Sequence, residues 1–396
     1  MLLYWVWLAE LKDMTLLQKH RLLEHFGDPE ELYHSAEAEK LGVKDKDLRT
    51  AEKILTTCAK KNIGILPAAD VAYPTRLRNT PDAPIVLYYK GILPDWDSLP
   101  FVGIVGTRKA SAYGLQVAHQ MGSQIASSGG MVVSGGASGA DTAAMQGALD
   151  AGCPVVGVLG CGVDVIYPRH NRRLFEAVVE DGCLISEYAP GEQGIAWRFP
   201  ARNRIISGVS NGVLVVEAPE KSGALITAQR ALEQGRDVFV VPGNIDMPTC
   251  RGSNKLLQEG AMPVFSGWDV LSNYEFLYPG KLQKHPHKPL YKGESVTGKV
   301  AQNPIVPEKV TEKTERTRKK SIDNRGNTTY IELENNHPAL NQEEQAVLAQ
   351  LTRHPQETAE LIAKLDMPSG RVLSALTMLT VKGLAIKHPG GRFSIK

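Results

Sequence analysis

Two glycine-rich segments contain the residue types that bind phosphate. GIVGTRKASAYG spans residues 103–114 and VVSGGASGADTAA spans residues 132–144, and each begins in an apolar run and ends in a helical pattern. The first N–H groups of a helix lack internal partners and carry partial positive charge, and glycine lets the backbone approach a ligand closely. The sequence therefore predicts an anion site at both turns; the alternative for the second is a tight turn whose free N–H groups are capped by Ser138 or Asp141 alone. Its predicted members are Gly106, Arg108, Lys109, Ser134, Gly135, Gly136, Ser138 and Gly139.

Basic and aromatic residues are interleaved in two further segments, YPRHNRRLF at 167–175 and WRFPARNRI at 197–205. Such grooves bind single-stranded nucleic acid, because the cations follow the backbone while the rings stack on bases. Any single arginine here could equally be a surface charge or half of an ion pair. The net charge of +2 for 396 residues means that a polyanion site depends on local clustering. From these segments and GSNKLLQEGA the predicted site also takes Arg169, Asn171, Arg202, Asn203 and Lys255.

Several catalytic and cofactor signatures are absent from the sequence. It has no GxxxxGK[ST] motif, GCGVDV lacks the third glycine of a dinucleotide fingerprint, and no Ser–His–acid arrangement is evident. The five cysteines form no CxxC pair, which favours small core residues of a reduced, cytoplasmic protein. No apolar run approaches the length of about 20 residues that spans a bilayer. The sequence thus predicts a soluble protein with no catalytic residue, no metal, no cofactor and no membrane partner.

The elements that would position this site are indicated by six short apolar runs between residues 98 and 265. They are PFVGIV, MVVSG, PVVGVL, CLIS, GVLVVEA and DVFVVPG, and helical stretches such as 114–127 and 140–151 alternate with them. Strands that are apolar on both faces and alternate with helices indicate a parallel sheet covered on both sides. In such a sheet the ligand site lies at the carboxyl ends of the strands, where both glycine-rich segments begin.

Four regions follow from composition and periodicity. Residues 1–66 read as a small helical domain of helix-hairpin-helix or SAM-like type, and 67–279 as the α/β domain. Residues 280–337 are a basic flexible linker with scattered prolines and no apolar period. Residues 338–396 contain three amphipathic helices and a hairpin turning at Gly390-Gly391, which is a winged-helix pattern. Its third helix offers only Arg371 and Lys382 among apolar residues, which favours a protein contact over reading of DNA.

Seven motifs occur in an order that resembles the DprA/Smf DNA-processing family. They are GTRKASAYG, SGGASGADTAAMQGAL, GVDVIYPRHNRRL, SEYAPG, RFPARNRIISG, SGALITAQRALEQGRDVFVVPGN and GSNKLLQEGA, within about residues 67–265. By matching motifs, Arg108 corresponds to the DNA-contacting arginine of the G-[ST]-R turn, and Arg169 to a basic DNA contact in the YP-x-x-N loop. Arg202 and Asn203 belong to the ARNR element beside the same pocket.

The resemblance implies an extended, Rossmann-like, doubly wound and mostly parallel sheet that binds single-stranded DNA. It also implies a homodimer, protection of incoming DNA during natural transformation, loading of RecA recombinase onto that DNA, and contact with single-strand-binding protein. Two alternatives on related folds stay open. One is a phosphoribohydrolase of nucleoside monophosphates, although EKSGALITAQR lacks the glutamate of its PGGxGTxxE motif. The other is a nucleotide-sensing protein that uses the winged helix for regulation.

Overall fold

The computed structural model describes residues 1–284, 340, 342–365, 367, 369–382, 384–388 and 392–395. The chain forms two compact units, Met1–Thr297 and Gly298–Lys396. Almost all of the predicted linker 280–337 lies outside the described residues, and so does the predicted turn at Gly390-Gly391.

A nine-stranded sheet organises the described part of the first unit. The strands are β1 Gly64–Pro67, β2 Val86–Gly91, β3 Phe101–Val105, β4 Met131–Ser134, β5 Val155–Val158, β6 Cys183–Ser186, β7 Gly212–Val215, β8 Asp237–Val240 and β9 Met262–Pro263. Their order is β1-β2-β6-β5-β4-β3-β7-β8-β9. Strands β3 to β9 pair in parallel, whereas β1 and β2 add an antiparallel extension beside β6. The six strands predicted from apolar runs are confirmed, whereas the short edge strands β1 and β9 and the six-residue strand β2 were not predicted.

Helices cover both faces of this sheet. On one face, Val117 and Met145 of the helices share a core with Ile104 of the sheet. On the other face, Ile205 and Ala228 of the helices share a second core with strand residues that point to that side. The helices of the first unit are α1 Leu2–Glu10, α2 Leu16–Phe26, α3 Pro29–His34, α4 Arg49–Lys61, α5 Thr75–Arg78, α6 Ala112–Ser127, α7 Ala140–Asp150, α8 Arg172–Asp181, α9 Arg198–Val209, α10 Gly223–Glu233, α11 Arg251–Gln258 and α12 Gly267–Leu271. The α/β, Rossmann-like, doubly wound fold class is therefore confirmed.

The N-terminal helices begin and end where the sequence indicates. Thr15 and Gln18 form a capping box at the start of α2, and Gly27, at φ 78°, ends it. Asp28 then caps α3, with Pro29 at its first position. Buried residues of α1, such as Trp7, join the hydrophobic core cluster that also contains sheet residues. In this structure the N-terminal helices are thus part of the first compact unit.

The strand order places a topological switch between β3 and β7. Strands β3, β4, β5 and β6 follow one another in one direction, and β7, β8 and β9 follow on the other side of β3. The loops that leave the carboxyl ends of β3 and β7 therefore diverge to opposite faces and open a crevice between them. Open α/β sheets bind their ligands at this place.

The second unit is a small domain of three helices and a three-stranded sheet in the described residues. Its elements are α13 Gln342–Gln350, β10 Gln356–Glu357, α14 Thr358–Lys364, α15 Ser369–Val381, β11 Ala385–His388 and β12 Arg392–Ile395. The sheet order is β10-β12-β11, with antiparallel pairing throughout. Val347, Leu376 and Phe393 lie in its core. The predicted winged-helix arrangement and its two hairpin strands are confirmed.

Two further expectations from the sequence can be compared with the structure. All five cysteines are free thiols, and four of them are buried. Within the described residues, no helix is both long enough and apolar enough to cross a bilayer.

Candidate nucleic-acid interface

A cavity of about 560 Å³ opens at the switch between β3 and β7. We call it the rim cavity. Its lining includes Arg108 and Lys109 from the loop after β3, and Lys221 from the loop after β7. Tyr167 and Phe199 line it with aromatic rings. Gly106, Ala137, Asp141, Gly194, Ala196, Arg202, Asn203, Ser222 and Gly223 also line it.

The loop after β3 is held by a buried glutamate that lies just beyond β7. The backbone N–H of Thr107 donates to the carbonyl of Glu217 at 2.7 Å. The Glu217 carboxylate, in a side chain only 2 % exposed, accepts from the backbone N–H of Ser111 at 2.9 Å and from its hydroxyl at 2.6 Å. A Cβ atom at Gly114 would lie 2.5 Å from Cδ of Glu217, so glycine makes room for this contact. The loop is thereby fixed at both ends while Arg108 stays exposed.

The Arg108 guanidinium lies over aromatic rings at the cavity wall. Its Cζ is 5.3 Å from the ring centroid of Phe199, and that ring is 5.1 Å from the ring of Tyr167 at an interplanar angle of 30°. A cation above an aromatic face is attracted to it electrostatically, which restricts its positions. The cavity thus presents a charged group and apolar ring faces side by side.

The glycine-rich loop after β4 encloses a carboxylate of the chain itself. Backbone N–H groups of Ala137, Gly135 and Gly106 donate to the buried Asp141 carboxylate, at 3.4 Å for Ala137. Burial raises the pKa of Asp141, and the nearby Arg202 guanidinium opposes that rise. Arg202 is only 3 % exposed; its Nη1 donates to the carbonyl of Gly135 at 2.7 Å and to that of Val158. Asp141 and Arg202 are thus two buried, opposite charges that attract each other at the floor of the cavity.

The amides of Gly135 and Ala137 thus donate to an internal carboxylate. Binding of an external phosphate by the rest of this loop stays a prediction. Ser134 is fully buried, and its hydroxyl donates to the carbonyl of Ile104 at 2.7 Å. The glycines allow close packing: Cβ atoms at Gly135, Gly136 and Gly139 would lie 2.4 Å from Nη2 of Arg202, 2.6 Å from Cε1 of Phe175 and 2.5 Å from the carbonyl O of Thr107, respectively. Gly136 and Gly139 also have positive φ angles, of 62° and 85°. Close packing between loops explains why glycine stands at these three positions.

The loop that carries Arg169 is attached to this glycine-rich loop. Nδ2 of the buried Asn171 donates to the carbonyl of Gly136 at 2.9 Å and to the hydroxyl of Thr142 at 2.7 Å. The hydroxyl of Ser138, which is partly exposed, lies 3.2 Å from Nε2 of His170. Asn171 therefore positions the loop, and Arg169 is exposed at its surface.

Two other predicted residues have different positions. Nδ2 of Asn203 donates to the carbonyl of Gly223 at 3.1 Å, which joins α9 to the start of α10 at the cavity wall. Lys255 lies on α11 outside the cavity lining, and its Nζ is 3.7 Å from Glu259 in an exposed pair. Sequence reasoning missed Lys221, which lines the cavity. Its position two residues before the α10 start, in PEKSGAL, was the signal that could have identified it.

Several cations at this edge have no ion-pair partner in the part of the chain that the structure describes. Within the described residues, Arg108, Lys109, Arg169 and Lys221 are exposed and form no ion pair. The positive charge of Arg108 also lowers the pKa of Arg202, after the larger effect of burial. Positive charge in a concave surface attracts anions and focuses the field on them. The geometry therefore suits a polyanion that carries stackable groups.

Comparisons with known proteins match both units. The model for a family described as DNA recombination-mediator protein A matches residues 64–275, and the model described as DprA winged helix domain matches residues 332–391. The chain is 46 % identical over 207 residues to DNA processing protein DprA of Streptococcus pneumoniae, covering 52 % of this chain and 73 % of that protein. It is 32 % identical over 409 residues to protein Smf of Synechocystis, covering 98 % of each. An X-ray structure of the Streptococcus pneumoniae protein superposes with a TM-score of 0.61 at 36 % identity, covering 69 % of this chain and 98 % of that one.

Proposed function

The chain belongs to the DNA recombination-mediator protein A family, the DprA/Smf family of DNA-processing proteins, and on that basis we propose that it binds single-stranded DNA at the rim cavity. One observation carries the proposal: at the switch point of the sheet, exposed cations that form no ion pair among the described residues lie beside two neighbouring aromatic rings. Phosphates attract the cations, and unpaired bases find ring faces next to them.

Roles for the individual residues follow from their exposure. Arg108, Lys109, Arg169 and Lys221 contact phosphates, while Tyr167 and Phe199 contact bases. Gly106 and Ser138 lie next to the bound DNA strand. A further set of predicted residues supports these groups from inside the protein or at the cavity floor. They are Ser134, Gly135, Gly136, Gly139, Asn171, Arg202 and Asn203. Contact between DNA and Lys255 stays a prediction, and it requires a strand that extends beyond the cavity.

Single strands fit this site better than duplexes do. In a duplex the base faces are stacked on one another, so the rings of Tyr167 and Phe199 have nothing to stack on. A single strand can present both its phosphates and its unstacked bases to one cavity. We therefore expect the cavity to discriminate by strandedness and only weakly by sequence.

The protein's role in recombination follows from the proposed binding. A protein that holds incoming single strands protects them and can deliver them to a recombinase. The family's description as a recombination mediator supports the proposal that the protein loads RecA recombinase. Contact with single-strand-binding protein stays a prediction. The rate of RecA filament formation on single-stranded DNA coated with single-strand-binding protein, measured with and without this protein, tests that role. A filament rate that this protein does not change would contradict it.

A homodimer is also proposed for the first unit. Among its described residues, large apolar side chains are highly exposed at Phe265 and at the adjacent pair Phe276 and Leu277. Burial of the adjacent Phe276 and Leu277 side chains against a second copy would remove their apolar surface from water, which favours association. The molar mass in solution, measured by light scattering for the native chain and for Phe276→Ser, tests this assignment. A native chain that is monomeric at micromolar concentration would contradict it.

The central experiment compares oligothymidine with a duplex of equal length at two salt concentrations. We expect tighter binding of the single strand, a steep loss of affinity with salt, and a loss of affinity in Arg108→Ala. Displacement of DNA by a mononucleotide that binds tightly and saturably would instead support a nucleotide sensor. Release of free base from a nucleoside monophosphate would support a phosphoribohydrolase.

A further inference from the structure

Trp197 is an exposed aromatic residue just outside the rim cavity. Its side chain is 63 % exposed, whereas Trp5, Trp7 and Trp96 are buried and Trp268 is partly buried. These are the five tryptophans of the chain. An indole that is largely exposed leaves apolar surface in water, which indicates a contact surface when the residue lies beside a binding site.

Contacts with two neighbouring side chains restrict the position of the Trp197 ring. Cζ of Arg198 lies 5.5 Å from its centroid, and the Tyr188 ring meets it edge-on at 6.4 Å with an interplanar angle of 83°. Arg198 is itself fixed, since its Cζ is 4.4 Å from the Tyr188 ring and its Nη2 is 2.6 Å from Glu192. A preorganised ring loses little conformational freedom when a ligand stacks on it.

Trp197 is continuous with the proposed interface along the chain. Ala196, which precedes it, lines the rim cavity, and so does Phe199 two positions later. Trp197 is also the N-cap residue of α9, the helix that supplies Arg202 to the cavity. A strand that leaves the cavity on this side meets the indole next.

We propose that Trp197 stacks on one base of the bound single strand and extends the site beyond the rim cavity. This proposal rests on the proposed function and adds a subsite to it. The occupant is an unpaired base, because the neighbouring Arg198 is already neutralised by Glu192 and offers no strong phosphate contact. A stacked base needs only an exposed ring face, and every base has a π-face to offer.

The experiment uses the full chain, its tryptophan fluorescence and oligothymidines of roughly four and roughly twelve nucleotides, lengths that span one compact site. The variants are Trp197→Ala and Trp197→Phe, and the matched control is Trp268→Phe. We expect the longer strand to quench the fluorescence of the native chain and of Trp268→Phe. In Trp197→Phe most of the quenching should disappear while affinity stays within about threefold, because phenylalanine still stacks.

Trp197→Ala should weaken binding of the longer strand about tenfold and leave the shorter strand, which fills the cavity alone, nearly unchanged. Equal far-ultraviolet circular dichroism and equal thermal midpoints confirm that the variants fold. Quenching that persists in Trp197→Phe, or unchanged affinity of Trp197→Ala for the longer strand, overturns the proposal.

Failure of the cavity site is distinguishable from failure of this subsite. If Arg108→Ala weakens both oligonucleotides and Trp197→Ala weakens neither, the cavity stands and the Trp197 subsite is wrong. If the native chain binds no single strand, or Arg108→Ala has no effect on either length, the proposed function itself fails.

Discussion

The carboxyl edge of the large sheet and helix α15 of the winged-helix unit both present basic residues, but their charges are used differently. At the sheet edge, exposed Arg108 and Lys221 form no ion pair within the described residues. On α15, Nη1 of Arg371 lies 3.1 Å from Glu343. At the end of that helix, Nζ of Lys382 lies 2.6 Å from Glu344, whose side chain is only 2 % exposed. These two cations thus connect α13 to α15.

The difference shows that residue type is a poor guide to phosphate binding until the partners are known. A cation that is already paired must lose that pair, or share it, before it can bind a phosphate. The remaining exposed side chains of α15 include Leu373 and Met378, which offer no charge. This helix therefore suits a protein contact better than a DNA backbone, whereas the sheet edge suits a polyanion.

The largest expected effect on DNA binding comes from Arg108→Ala. Losing a charge-assisted contact should weaken binding of every single strand by about 1–3 kcal/mol, with little dependence on sequence. Fluorescence anisotropy with labelled oligothymidine measures it. Arg371→Ala is the matched control, because it removes the same charge from a paired position, and its affinity should stay within about twofold. Equal losses in the two variants would break the comparison between the regions.

A smaller effect is expected from Glu217→Ala, which removes the carboxylate that holds Ser111. Leaving these partly buried donors without their acceptor should lower the free energy of unfolding by about 1–3 kcal/mol. Because the loop that carries Arg108 then loses an anchor, affinity for single strands should fall by about threefold to tenfold. Urea unfolding and anisotropy measure the two quantities.

The matched control for Glu217 is Glu220→Ala. Glu220 lies on the same loop and is exposed, so its removal should leave stability unchanged and should not weaken binding of DNA. A loss of affinity in Glu220→Ala as large as in Glu217→Ala would show that the loop tolerates neither change, and that Glu217 has no special positioning role.

The salt dependence of binding sharpens the comparison. Each neutralised phosphate of a single strand contributes about −0.7 to the slope of log affinity against log salt. Arg108→Ala should therefore make the slope shallower by about 0.7, whereas Arg371→Ala should leave it unchanged. An affinity series at several salt concentrations tests both values. An unchanged slope in Arg108→Ala would mean that Arg108 contacts no phosphate.

The smallest effect on DNA binding is expected from Lys382→Met. This change removes the ion pair with buried Glu344, so the thermal stability of the winged-helix unit should fall, by about 1–3 kcal/mol in free energy of unfolding. Affinity for single strands should stay within about twofold, because the cavity lies in the first unit. Calorimetry and anisotropy on the same sample measure both. A large loss of DNA affinity would assign the winged helix a direct role in binding.

Much of the fold could be predicted because its signals are local. The central strands are apolar on both faces, so their runs stand out, and Thr15, Asp28 and Ser111 cap helices with their own side chains. The outer strands were missed for a physical reason. A two-residue strand such as β9 is held by pairing with β8, and β1 is held by pairing with β2. The composition of β1 and β9 does not by itself indicate a strand.

The candidate site was predicted less completely. Three predicted cations, Arg108, Lys109 and Arg169, are exposed at the sheet edge as the sequence indicates. In the glycine-rich loop, by contrast, backbone N–H groups donate hydrogen bonds to Asp141. The spacing of glycines and serines cannot distinguish an external anion from an internal one, since both are bound by the same backbone N–H groups.

The sequence by itself determined the alternation of strands and helices, the placement of glycine-rich turns at strand ends, and the family to which the chain belongs. Only the tertiary structure decided which charges are neutralised inside the protein and which face outward. The electrostatic interaction of Arg202 with Asp141 and the ion pair of Lys382 with Glu344 connect residues that are 61 and 38 positions apart. Local sequence carries no record of such distances, because chain folding alone brings these groups together.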